Sequence, residues 1–182
     1  MARISIPHLD SAPEKARPKL DKVKAMFGSV PNLFRMLANS PAALEGYLSL
    51  SAALAGGAFD LQTRERIALA VAEVNGCTYC LSAHTYIGRN LAKMADEDLA
   101  LARDGHAEDR RANAAVELAV AVTRGGGRVG AEAIAAAREA GLDEAAVLEV
   151  FAHVALNVLT NYVNIALDTE VDFPLVAARR AA

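Results

Sequence analysis

The sequence predicts a single all-α domain of about eight or nine helices. Alanine and leucine dominate nearly every segment. Runs of β-branched residues in strict alternation, the mark of strands, are missing. Between the apolar stretches stand Gly, Pro, Ser and Asp, the residues that start and stop helices. The 182 residues suffice for one domain with a sizeable core, and 53% hydrophobic with 23% charged residues is the balance of a folded protein.

Residues 1–17, with Pro7 and Pro13, and Pro18 just beyond, are expected to form an N-terminal arm, and residues 18–182 the helical domain. A first helix runs through Leu20, Val23 and Phe27 and ends at Gly28. VPNLFRMLANSP reads as a second, short helix between two prolines. SPAALEGYLSLSAALAG opens with a Ser cap and a Pro in the first turn and stops at Gly56-Gly57. The next helix spans about Thr63 to Val74, and Asn75-Gly76 breaks it. The following helix reaches about Arg89; Asp96–Arg103 is short and polar; Arg110–Arg124 is amphipathic and ends at three glycines. Those glycines join helices rather than cradle phosphate, because no Gly-Lys-Ser/Thr follows. Gly130–Ala140 ends at Gly141, and Asp143 caps a long last helix.

A net charge of −3 and a pI near 5.8 leave no electrostatic footprint for nucleic acid. The apolar stretch 145–167 has the length of a membrane span, but it carries Glu149, His153, Asn157, Asn161 and Asn164, which are costly in lipid. It is expected to be buried in protein. With no apolar h-region at the N-terminus, the expected location is the cytoplasm, and two closely spaced cysteines there point to redox or metal chemistry.

EVNGCTYCLSAH (73–84) holds both cysteines, Cys77 and Cys80, with His84 one turn further on. Zinc would need a fourth ligand, and no second CxxC or HxxxH supplies one, so neither metal nor cofactor is expected. Thiol–disulfide chemistry fits better: residues three apart share a helix face, so the two sulfurs can pair. A helix start at Gly76 would favour the Cys77 thiolate through the first-turn amides, whereas His84 can take a proton from Cys80. Two carboxylates could serve the histidine. Glu73 shares the face of Cys77 only if the helix continues through Asn75-Gly76, and Glu65 lies in the preceding helix. Periodicity does not choose between them.

RERIALAVAEVNGCTYCLSAHTYIGR resembles the core signature of the alkylhydroperoxidase AhpD-like family, in the carboxymuconolactone decarboxylase superfamily. Glu65, Cys77, Cys80 and His84 match its pattern position by position. VPNLFRMLANSPAALEGY and NVLTNYVNIALDTEVDFP are similar to the ends of the peroxidase-related branch, so the resemblance covers most of the chain. It implies an all-helical fold and thiol peroxidase or disulfide reductase activity without haem, flavin or metal. It also implies that Cys80 reacts with peroxide, Cys77 resolves the sulfenic acid, and Glu65 and His84 relay the proton. The implied electron donor is a dithiol, a lipoylated carrier protein in well-studied relatives, and the implied assembly is a dimer, trimer or hexamer. Relatives often carry a His between the cysteines; here Tyr79 stands there. The decarboxylase branch works without the cysteine pair, so its presence argues against that activity.

Glu149, His153, Asn157 and Asn161 recur every four residues on the last helix, in one polar line that Asn164 and Asp168 extend. The bland reading is a buried hydrogen-bond network. The sharper one has His153 or an Asn facing the reaction site, with Glu73, Tyr79 and His153 as further relay or lining residues. Three functions compete: thiol peroxidase, disulfide oxidoreductase acting on lipoyl or protein disulfides, and an oligomeric redox sensor without turnover.

Overall fold

The computed structural model describes residues 2–179, which form nine α-helices and no strand. They are α1 (Arg17–Phe27), α2 (Asn32–Leu37), α3 (Pro41–Ala55), α4 (Leu61–Asn75), α5 (Thr78–Asn90), α6 (Asp96–Arg103), α7 (Arg110–Gly125), α8 (Ala131–Glu139) and α9 (Glu144–Leu167). Met1 of the expected arm and residues 180–182 of the expected domain lie outside the described residues.

Capping sets most of these boundaries. The side chains of Ser40, Asp60, Asp109 and Asp143 each accept the backbone N–H three residues on, opening α3, α4, α7 and α9. Asp60 explains why α4 begins at Leu61, two residues before the expected Thr63. At its other end Gly76 takes φ 71°, a left-handed cap, and the N–H of Cys77 reaches back to the carbonyl of Ala72 (2.9 Å). The expected break at Asn75-Gly76 is thus a helix stop that turns the chain directly into α5.

Around α4 the apolar side chains divide into two cores. Leu69 and Ala72 face one that takes in Leu20, Val23, Phe34, Leu44, Leu81 and both cysteines. Ile67, Ala70 and Val71 face the other, with Val116, Leu118, Leu142 and Val150 from α7, the α8–α9 turn and α9. A helix buried on two sides reads as a continuous apolar run rather than a stripe, as Ile67–Ala72 does. By length and composition α9 could cross a membrane. It is instead a core helix that buries Val150, His153, Val154, Asn157, Thr160, Asn161 and Asn164.

Both ends of the described chain are fastened. The backbone N and Nη1 of Arg3 donate to the carbonyls of Leu167 and Ala166 (both 2.8 Å), at the end of α9. Ser5 and Pro7 accept from Asn39 and Arg35, and Ala12 and Ala16 lie in the first core. After α9, residues 169–179 run back along α2 and α5. Asp172 accepts from the N–H of Asn32 (2.8 Å), and the N–H groups of Val176 and Ala178 donate to the hydroxyls of Ser82 (2.9 Å) and Thr78 (3.3 Å).

Candidate active site

The turn at Gly76 lays α5 back against α4, and that pairing assembles the site. Cys77 is the N-cap of α5, with extended backbone (φ −85°, ψ 91°), and its Sγ accepts the N–H of Cys80 (3.3 Å). Cys80 sits on the first turn, with its Sγ 2.7 Å from that of Cys77. Both thiols are free and buried, 1% and 2% exposed. Two turns along α5, Nδ1 of His84 lies 2.8 Å from Oε2 of Glu65 on α4.

The charges order themselves around Cys80. Burial alone would raise its pKa. The hydrogen bond from the Cys77 thiol, the positive charge of His84 and the amides of Asn164 and Asn161 outweigh burial and bring it down from 9.0 to about 7. Asn164 donates to Cys80 Sγ from Nδ2 at 3.3 Å. His84 is buried, which opposes its charge, but the Glu65 carboxylate overrides this and raises its pKa. Cys77 moves the other way: it donates its proton to Cys80, and that bond, with burial, holds its pKa above the ordinary thiol range. The first-turn amide does point at Cys77, as the helix-dipole reading expects. The pair nevertheless places its negative charge on Cys80, because three further donors and charges converge there.

The structure brings Glu65, Cys77, Cys80 and His84 together and puts Glu73 and Tyr79 to other work. Glu73 accepts from Nε of Arg103 (2.7 Å) and from the backbone N–H of Arg179 (2.7 Å), beside α6 and the tail. Because α4 stops at Gly76, it does not continue onto the cysteine face. The Tyr79 hydroxyl accepts from the N–H of Leu33 (3.0 Å) and donates to Asp172 (2.9 Å), tying α5 to α2 and the tail. Burial raises its pKa, so it stays a neutral phenol.

His153 lies 2% exposed on α9, packed edge-on against Phe59, and its Nε2 has no hydrogen-bond partner among the described residues. Burial and then the charge of Arg64 lower its pKa to about 4, so it is neutral. His153 and the Glu65–His84 pair line one cavity of about 410 Å³ between α1, α2, α3, α4, α5 and α9. Its other walls are largely apolar and include Phe27, Phe34, Leu48, Leu54 and Ile87. The polar line of α9 therefore serves two places, His153 at the cavity and Asn161 and Asn164 at the sulfur. Asn161 also accepts from Asn75 (2.8 Å) at the end of α4. Glu149 accepts the N–H of Ala58 (2.7 Å) instead.

The residue that sequence reasoning missed is Tyr47, on α3. It lines the cavity, and burial followed by the nearby charges of Cys80 and Glu65 raises its pKa. The available signal was a lone aromatic residue in a helix rich in alanine and leucine.

Comparisons with known proteins bear on the family and the fold. The carboxymuconolactone decarboxylase family model matches residues 41–117. No curated protein matches the chain. Among solved structures, an uncharacterized peroxidase-related protein with an alkylhydroperoxidase AhpD core, from Ralstonia eutropha JMP134, is 25% identical, with a TM-score of 0.84 over 94% of this chain and 92% of that one. An uncharacterized peroxidase-related protein from Silicibacter sp. TM1040 is 21% identical, with a TM-score of 0.80 over 93% and 91%. The debrominase Bmp8, solved as a variant in complex with 2,3,4-tribromopyrrole, is 17% identical, with a TM-score of 0.77 over 94% of each chain.

Proposed function

We propose that this chain, which belongs to the AhpD-like carboxymuconolactone decarboxylase superfamily, is a thiol-dependent peroxidase that reduces hydroperoxides through Cys80 and Cys77. The observation that carries this reading is a lowered-pKa thiol 2.7 Å from a second thiol, next to a His84–Glu65 ion pair.

The chemistry balances with these four residues and a dithiol. The Cys80 thiolate attacks the terminal oxygen of the hydroperoxide; the S–O bond forms and the O–O bond breaks. The departing alkoxide takes the proton of the His84 imidazolium and leaves as an alcohol. The sulfur of Cys77 then attacks the Cys80 sulfenic acid, closing the disulfide as the oxygen leaves as water. A dithiol reopens the bridge by exchange at Cys77, is itself oxidised to a disulfide, and one released thiol returns its proton to His84. Glu65 holds the imidazole in its charged form between turnovers.

The donor we assign is a dithiol, with a lipoylated carrier protein as the first to try, and the location is the cytoplasm. An exposed apolar row on α9 (Leu148, Leu159, Tyr162) supports a homo-oligomer, whose size light scattering would give. In the central experiment the purified protein, supplied with a dithiol, consumes an alkyl hydroperoxide, and Cys80→Ser abolishes this. Full turnover by that variant would sink the proposal. Comparing the reduced protein's rates with peroxide and with a lipoyl disulfide separates peroxidase from disulfide oxidoreductase. A second reading is debromination, the activity named for the debrominase that shares this fold; bromide release from 2,3,4-tribromopyrrole tests it.

A further inference from the structure

The cavity has a polar feature that the reaction above does not use. His84 and Glu65 line it, and the charge of His84 acts on the Cys80 sulfur behind them. His153 also lines it, and its Nε2 is buried with no partner among the described residues. A buried imidazole nitrogen without a partner forfeits a hydrogen bond, and such positions in native proteins call for an explanation. Here the neighbours do not supply one. The Phe59 ring packs against His153 and offers no acceptor. Arg64 spends Nη1 on the carbonyls of Ala55 and Phe59, and Glu149 accepts from Ala58. Asn157 turns its amide back to the carbonyl of His153 itself (2.8 Å). The remaining surface of the cavity is mostly hydrocarbon, and its volume of about 410 Å³ far exceeds what a small peroxide needs and suits a one- or two-ring molecule.

We propose that this cavity holds the body of an organic substrate, and that His153 is a specificity residue which hydrogen-bonds an uncharged hydroxyl or carbonyl group on that body, remote from the reacting atoms. This rests on the peroxidase reading for the word substrate, but the recognition itself is separable from turnover. An uncharged group is specified because the wall combines a neutral imidazole with apolar side chains, and a carboxylate would lie beside the Glu65 carboxylate as well as Arg64. His84 and His153 on one cavity wall let a single molecule present its hydroperoxyl end to the first and its polar handle to the second. The handle thereby fixes which end faces the sulfur, an orientation that a purely apolar pocket cannot impose.

The test uses 1-naphthol and naphthalene, two probes of nearly one shape that differ in a hydroxyl. Titrated into the reduced full-length protein without peroxide, and followed by probe fluorescence and by the imidazole resonances, 1-naphthol should bind saturably. It should bind about fivefold more tightly than naphthalene, the worth of one net hydrogen bond, and should shift the His153 signals. His153→Leu should bring the two affinities together; His153→Gln, which keeps a polar end, serves if the leucine variant does not fold and should keep part of the preference. Equal affinities in the parent protein, an unchanged preference in His153→Leu, or no saturable binding would each overturn the proposal. Peroxide turnover with no naphthol binding removes this inference and leaves the peroxidase. Naphthol binding without turnover does the reverse.

Discussion

Replacing Glu65 by glutamine isolates the electrostatics of the site. The variant keeps the shape and a hydrogen-bonding oxygen opposite Nδ1 of His84, now 2.8 Å from the carboxylate. It loses the charge that keeps a proton on a buried imidazole, and burial then drives the ring neutral. Cys80 in turn loses the positive charge that helps bring its pKa from 9.0 to about 7; the limiting outcome is a full return to 9.0. At pH 7 the thiolate fraction would fall from about one half to about one hundredth, roughly 50-fold. A more basic thiolate is a better nucleophile, and a Brønsted slope of about 0.4–0.5 over two units returns a factor of roughly 8. The rate of attack on a small uncharged disulfide should therefore drop by up to about 6-fold at pH 7, yet exceed the parent's by up to roughly 8-fold at high pH, with the curves crossing near or below pH ~8. Stopped-flow pH–rate profiles of the two reduced proteins measure this directly. A variant that follows the parent at every pH, or stays slower at every pH without a crossing, refutes the claim that Glu65 acts by charging His84.

Asn164→Ala removes a donor to the Cys80 sulfur (3.3 Å). A hydrogen bond to a charged group is worth about 1.5–3 kcal/mol, so the Cys80 pKa should rise by about one to two units, read from thiolate ultraviolet absorbance against pH. Tyr79→Phe leaves the N–H of Leu33 without its partner and should cost about 1–3 kcal/mol in denaturant unfolding. Its Cys80 titration should match the parent's; a shifted titration would return Tyr79 to the reaction. Gly76→Ala forces a side chain into left-handed backbone (φ 71°) and should cost about 1–2 kcal/mol, lowering Tm by about 2–8 °C in a thermal melt. For the parent protein, reaction of Cys80 with peroxide should accelerate as pH rises through about 7 and level off above it, since the thiolate is the reactive form.

The legible parts of this protein are those written in local spacing. Cys80 and His84 fall on one helix that Cys77 caps, so their sequence separations already place them together, and Gly76 announces the turn before them. Glu65 was reachable only through family resemblance. Its approach to His84 depends on how α5 folds back over α4, an angle that helical periodicity within either helix does not encode. Glu73 attracted notice by nearness in sequence, which the stop at Gly76 makes irrelevant. Asn161 and Asn164 were visible as part of a polar line, but what the line faces is decided by packing with residues about 80 positions away. Tyr79 stands between the cysteines in sequence, yet a step of one residue swings a helical side chain by about 100°, off the face they share.

If the proposed peroxidase chemistry holds, the 2.7 Å separation of the sulfurs also bears on how the protein survives peroxide. A sulfenic acid has two fates: a thiol condenses with it reversibly, or a second peroxide carries it to the sulfinic acid, which ordinary thiols do not rescue. These fates compete on concentration. A thiol held in contact acts like a reagent at an effective molarity that can reach the order of 10⁵ M, far above any peroxide a solution sustains. Nearly complete burial of both sulfurs tilts the contest further, since a second oxidant must enter a space the resolving thiol already fills. Under the proposed peroxidase chemistry, the spacing that serves turnover is in this way also a protection against irreversible damage, and that protection ends with the last reduced Cys77.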